Sequence, residues 1–145
     1  DLGCYGIHAL RSLLALEPVV VNARARWRYG VDAAVDAELA FGKVEAALGC
    51  AIDPPEPATE IVIEGSEGRL EIAGFVLPQR AGRATLVRKG KAESLPVAGP
   101  SSYAAQLAHV VSVVRGEAQP LTGGEDAVAN MRAIDAICRA AGTPA

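Results

Sequence analysis

The sequence predicts an α+β domain in which an open, mostly antiparallel β-sheet carries helices packed on one face. Three observations lead there. A helical period opens the chain, a long middle stretch repeats at the two-residue period of strands, and the helical period returns after residue 101. The alternation of strand and helix that builds a parallel sheet is missing, and so is the G-x-G-x-x-G fingerprint, so no Rossmann domain is expected within this chain.

The elements follow in order. Along CYGIHALRSLLAL, residues 4–16, Ile7, Leu10, Leu13 and Leu14 recur at helical spacing while His8, Arg11 and Ser12 fall mainly on other faces. Val19, Val21, Ala23, Ala25 and Trp27 then alternate with Val20, Asn22, Arg24, Arg26 and Arg28, the pattern of a half-covered strand. After the turn at YGVD, Val35, Ala37, Leu39 and Phe41 alternate with Asp36 and Glu38; beyond Gly42, Val44, Ala46, Leu48 and Cys50 continue the period, so two strands joined at FGK form a hairpin. The prolines of DPPEP, residues 53–57, withhold backbone donors and mark a rigid surface connection too short to link domains. TEIVIEG and RLEIAGF form a second hairpin, followed by weaker strands over residues 84–88 and 92–97. From Ser101, Tyr103, Leu107, Val110, Val111 and Val114 mark a helix that Ser101 or Ser102 caps and Gly116 closes. The last helix starts after TGGED, where Glu125 and Asp126 suit the positive end of its dipole, and runs through Val128, Met131, Ile134, Ile137 and Cys138 to Gly142.

Size and charge narrow the function. At 145 residues and 50% hydrophobic, the chain suits one domain over residues 1–145 with a core of aliphatic residues. A net charge of -3 with no polybasic run argues against nucleic acid or an anionic membrane as partner. Charges interrupt every hydrophobic run, so no membrane span is expected. Cys4, Cys50 and Cys138 are odd in number and scattered, which disfavours a disulfide framework or a structural zinc site and fits a reducing cytoplasm. His8 and His109 stand too far apart in sequence to suggest a metal site, and no metal is expected.

The chemistry centres on the first helix. Asp1 and Tyr5, four residues apart, share a face if the helix begins at or before Asp1. A phenol titrates near pH 10 in water, so proton exchange near neutrality needs a cation beside it, and this chain has none close by in sequence. Spacing alone favours Asp1 as a helix cap and Tyr5 as a packing residue. Arg24, Arg26 and Arg28 line one strand face as a possible anion site, with balance by Asp36, Glu38 and Glu45 the stronger reading. His8, one turn from Tyr5, can line the same pocket; Cys4 reads as a small apolar residue.

The segment DLGCYGIHALRSLLALEP resembles the start of the C-terminal domain in the Gfo/Idh/MocA family of NAD(P)-dependent oxidoreductases, with Asp1, Gly3 and Tyr5 at the positions of the family's D-x-G-x-(H or Y) pattern. GVDAAVDAELAF with GKVEAALGC is similar to the family's paired strands, IVIEGSEGRLEIAGF to its next hairpin, and YAAQLAHVVSVVRGE with GGEDAVANMRAIDAICRAAG to its closing helices. The resemblance covers nearly the whole chain. It implies a glyceraldehyde-3-phosphate dehydrogenase-like C-terminal fold, with the dinucleotide-binding half and its catalytic lysine preceding Asp1, so that NAD or NADP is bound mainly outside this chain, which holds no cofactor-binding residue of its own. It implies Tyr5 as the catalytic acid/base and Asp1 as the residue that orients substrate or Tyr5, and the absent lysine supplies the missing cation. Tyr at this place, rather than His, is similar to the branch containing glucose-fructose oxidoreductase and dimeric dihydrodiol dehydrogenase, which implies a sugar, polyol or related cyclic alcohol as substrate. It further implies a homo-oligomer formed through the open sheet face, and an isolated domain that is inactive because hydride transfer needs the cofactor in contact with substrate. The alternative is a stand-alone, non-catalytic module that binds a partner protein through that face.

Overall fold

The computed structural model describes residues 2–142 and shows an α+β architecture of four helices and two open antiparallel sheets. In chain order the elements are α1 (Gly3–Leu14), β1 (Val19–Arg28), β2 (Val31–Phe41), β3 (Val44–Ala51), β4 (Glu60–Gly65), β5 (Gly68–Ala73), α2 (Pro78–Ala81), β6 (Arg83–Arg88), β7 (Lys91–Leu95), α3 (Ser102–Val114) and α4 (Gly124–Ala141). They group into two compact units, one of residues 1–55 with 122–145 and one of residues 56–121.

The first unit holds the core. Its sheet runs β1-β2-β3, and β2 is the central strand, so its inward row is the best shielded: Val35, Ala37, Leu39 and Phe41 are all buried, the last two almost completely. Ile7 of α1 and Ala133 and Ile137 of α4 close over that row. The alternation expected for β2 therefore sets the core directly.

Strand β1 departs from its expected phase. The ladder slips between Val20 and Asn22, so Ala23 and Ala25 face the core as predicted while Val20, rather than Val19 and Val21, packs against it. Val19 and Val21 are exposed. A bulge inserts one residue, and with a two-residue period every side chain beyond it changes face.

Both helices are rotated from the simplest reading of their apolar stripes. In α1, Leu13 is exposed and Arg11 is the buried residue, packed one turn beyond Ile7. In α4, Val128, Met131 and Cys138 are exposed, and the inward row is Ala133, Ile137 and, at its margin, Ile134 and Ala141. Small Ala133 admits the close approach of a sheet, and this face also brings Asp126 and Asn130 to Arg11. A buried guanidinium needs such partners more than Met131 needs cover.

In the second unit the sheet runs β4-β5-β6-β7, and one face carries the row Ile61, Ile72, Ala84 and Leu95. Arg69 bridges Glu64 and Glu71 on the other face, at 3.0 and 2.8 Å. Gly74 follows β5 with φ +69°, and a Cβ there would stand 2.8 Å from the Ala81 carbonyl oxygen, so only glycine fits. The short α2 starts on Pro78 and is too brief to show a period in sequence. Ser101 caps α3 as expected, its hydroxyl accepting from the Ala104 N–H at 3.2 Å. The apolar stripe of α3, from Tyr103 to Val114, is exposed, and no residue of this unit is buried among those described.

Candidate functional site

Tyr5 lies in the first turns of α1 with its side chain about half exposed. Asp1, its expected partner, lies outside the described residues. Among the described residues no hydrogen bond reaches the Tyr5 hydroxyl. Its helix sits close on β3: a Cβ at Gly3 would stand 3.2 Å from Cys50 Sγ, and one at Gly6 would overlap Leu48 Cδ1. The two glycines thus let the Tyr5 end of α1 lie against the C-terminal half of β3. Burial there pushes the Cys50 thiol above its ordinary range. Cys4, Cys50 and Cys138 are all free thiols.

Behind Tyr5 lies a charged cluster that the sequence pattern did not point to. Arg11, only 8% exposed, donates from Nε and Nη2 to the two Glu17 oxygens, each at 2.8 Å, and from Nη1 to Asp126 Oδ1 at 2.9 Å. Asp126 Oδ2 stands 3.4 Å from His8 Nδ1, and Asn130 Nδ2 donates to the Cys4 carbonyl at 3.4 Å. His8 therefore turns toward α4 and toward Ser12, whose hydroxyl is 3.5 Å from its Nε2. The one signal in the sequence was the acidic first turn of α4, read as a dipole partner; Asp126 does more, because α4 delivers it to a buried cation.

The arginine row resolves differently from its expected balance. Arg26 and Arg28 both donate to Asp53, at 2.6 and 3.1 Å, instead of to Asp36, Glu38 or Glu45. The ladder shifts register between these two arginines, at Arg26 and Trp27. Arg24 lies opposite Asp36 in the ladder, beside a shallow recess of about 330 Å³ that Asn22, Glu38 and Gly49 help to line. No group of three or more His, Cys, Asp or Glu that could hold a metal ion occurs among the described residues, and no helix is long and apolar enough to cross a membrane.

These ion pairs carry a pH consequence. Hydrogen bonding from Arg11 holds the Glu17 carboxyl below its ordinary range, and Arg26 does the same for Asp53. With folded values below unfolded ones, the unfolded chain binds more protons as pH falls, so both groups stabilise the fold above about pH 4 to 5 and lose that contribution below it. Melting temperature is expected to drop on acidification through this window, and Glu17→Gln to flatten part of the drop; an identical pH profile in the variant would contradict the assignment.

Neither the scan against protein-family models nor the search of curated proteins returned a match. Solved structures do match. The chain is similar to aldose-aldose oxidoreductase from Caulobacter crescentus, solved with glycerol, with TM-score 0.84 and 24% identity over 96% of this chain and 43% of that one. It is similar to the 3-ketoreductase KijD10 from Actinomadura kijaniata, solved with TDP-benzene and NADP, with TM-score 0.82 and 22% identity over 94% of this chain and 45% of that one. UDP-N-acetylglucosamine 3-dehydrogenase GnnA from Acidithiobacillus ferrooxidans aligns with TM-score 0.78 and 19% identity over 97% of this chain and 45% of that one. The chain thus spans under half the length of these oxidoreductases and has the fold of their C-terminal portion, the fold that the resemblance to Gfo/Idh/MocA enzymes implied.

Proposed function

We propose that this chain is the C-terminal, substrate-binding and oligomerising domain of a longer, cytoplasmic NAD(P)-dependent oxidoreductase of the Gfo/Idh/MocA family, acting on a sugar, polyol or related cyclic alcohol. The carrying observation is the half-exposed Tyr5 in the first turns of α1, whose hydroxyl meets no hydrogen-bond partner among the described residues, in a chain whose fold recurs in three sugar-related oxidoreductases. Residues 1–145 act in this reading as one functional domain. In the oxidative direction the Tyr5 phenolate takes the proton of the substrate hydroxyl while the adjoining C–H leaves as hydride; in reduction Tyr5 returns the proton to the new alkoxide. Bound NAD or NADP supplies the hydride acceptor or donor. The residues of this chain offer no glycine-rich phosphate turn, so the dinucleotide and the lysine that lowers the phenol's proton affinity belong to the remaining half, and the isolated chain is inactive. Asp1 orients the substrate or Tyr5.

The open face of the first sheet suits a second copy of the chain. Arg24 stands directly across from Asp36, with Glu38 beside them, and a two-fold axis would set each charge row against its opposite.

The coding sequence upstream of Asp1 tests the whole reading. A strand followed by G-x-G-x-x-G within roughly 130 residues of this start supports it, and an upstream region without that fingerprint overturns it.

A further inference from the structure

Among the described residues, the Tyr5 end of α1 has no cap from its own sequence. Among the described residues its first turn contains no acidic side chain, and Leu2 at its start offers no side-chain cap. Ile7, Ala133 and Ile137 join α1 to α4 through apolar contact, which favours burial but is non-directional and leaves a helix free to slide or turn slightly. The directional contacts between the helices come from one row of α4. Asp126 and Asn130, one turn apart, meet α1 at Cys4, His8 and Arg11, that is, at successive turns beginning beside Tyr5. Asp126 is shared: one oxygen accepts from the buried Arg11 at 2.9 Å and the other faces His8 at 3.4 Å.

We propose that Asp126, supported by Asn130, is a positioning residue that sets the rotation and register of α1 and thereby places the Tyr5 hydroxyl against the reacting alcohol. The inference rests on the role given above to Tyr5. A small rotation of the helix is magnified at the far end of a tyrosine side chain, and a displacement of about 1 Å from reacting geometry costs on the order of a hundredfold in rate. Asp126 acts only through the helix and touches no substrate.

The test is a double-mutant cycle in the full-length oxidoreductase with its substrate and NAD(P). Asp126→Asn is expected to lower kcat about tenfold, with KM for substrate and cofactor affinity within about twofold of the parent. In the Tyr5→Phe background the same substitution is expected to change kcat by less than about twofold, because the group being positioned is gone. A general loss of structure would instead lower both backgrounds equally, and that additive result overturns the proposal, as does an unchanged kcat in the single Asp126→Asn variant. If Asp126→Asn does not fold, Asn130→Ser, which gives up the 3.4 Å bonds to the Cys4 carbonyl and from Arg11 Nη1 but keeps Asp126 on Arg11, carries the cycle with a smaller expected loss of a few fold, and additivity there overturns the proposal too. A Tyr5→Phe enzyme with full turnover removes the Tyr5 reading and this one together; a crippled Tyr5→Phe enzyme with an additive Asp126→Asn effect removes only this one.

Discussion

Replacing Tyr5 by Phe in the full-length oxidoreductase is expected to lower turnover by about a hundredfold or more while leaving nicotinamide binding nearly unchanged. The substitution deletes one oxygen from a side chain that is half exposed and whose hydroxyl makes no hydrogen bond among the described residues, so the fold loses almost nothing. In the role proposed for Tyr5, what disappears is the proton acceptor in the step that expels hydride. Steady-state kinetics over pH, with cofactor affinity followed by fluorescence, separates the two contributions. A variant with full turnover would return Tyr5 to a surface packing role and leave the fold without an acid/base in this chain.

Phe41→Ala is expected to destabilise the first unit by about 3–5 kcal/mol, a large part of the roughly 5–15 kcal/mol that holds a domain folded. Phe41 is 0% exposed and ends the inward row of the central strand, so truncation leaves a cavity instead of an opening to water. Phe41 shares its cluster with Leu39, Ile7, Ala133 and Ile137, and small helix movements fill only part of the volume that a lost phenyl ring leaves. Denaturant titration of the parent and the variant measures the difference, and a loss under about 1 kcal/mol would show that the site relaxes or is less enclosed than the packing indicates.

The parts of the fold readable in advance were those decided by local period. The stretch from Val35 to Phe41 alternates around Asp36 and Glu38 and forms the buried row it implies, while Val31 and Asp32, read as part of a turn, already belong to the strand. A cap at Ser101 or Ser102 was recognisable because a hydroxyl one residue before a helix satisfies an otherwise orphaned N–H, and the fold uses Ser101. Tyr5 was legible as a candidate through the pattern it shares with Asp1 and Gly3. The bulge at Val21 was not legible, since Val19, Val20 and Val21 are chemically alike and only the pairing with β2 decides which of them turns inward. Nor was the fate of α3, whose apolar stripe looks like any packing face until the surrounding chain is seen to leave it uncovered.

By itself, then, the sequence determined the kind and order of the elements other than the short α2, the central row of the core and the helix that presents Tyr5, because these depend on side-chain spacing within a dozen residues. Tertiary structure alone decided that Arg11 is buried, that Arg26 and Arg28 converge on Asp53, and that Asp126 and Asn130 reach back across more than a hundred residues to the helix carrying Tyr5. Those pairings join groups with no periodic relation in sequence. They arise where a buried charge must find partners, and only the folded chain brings such partners within reach.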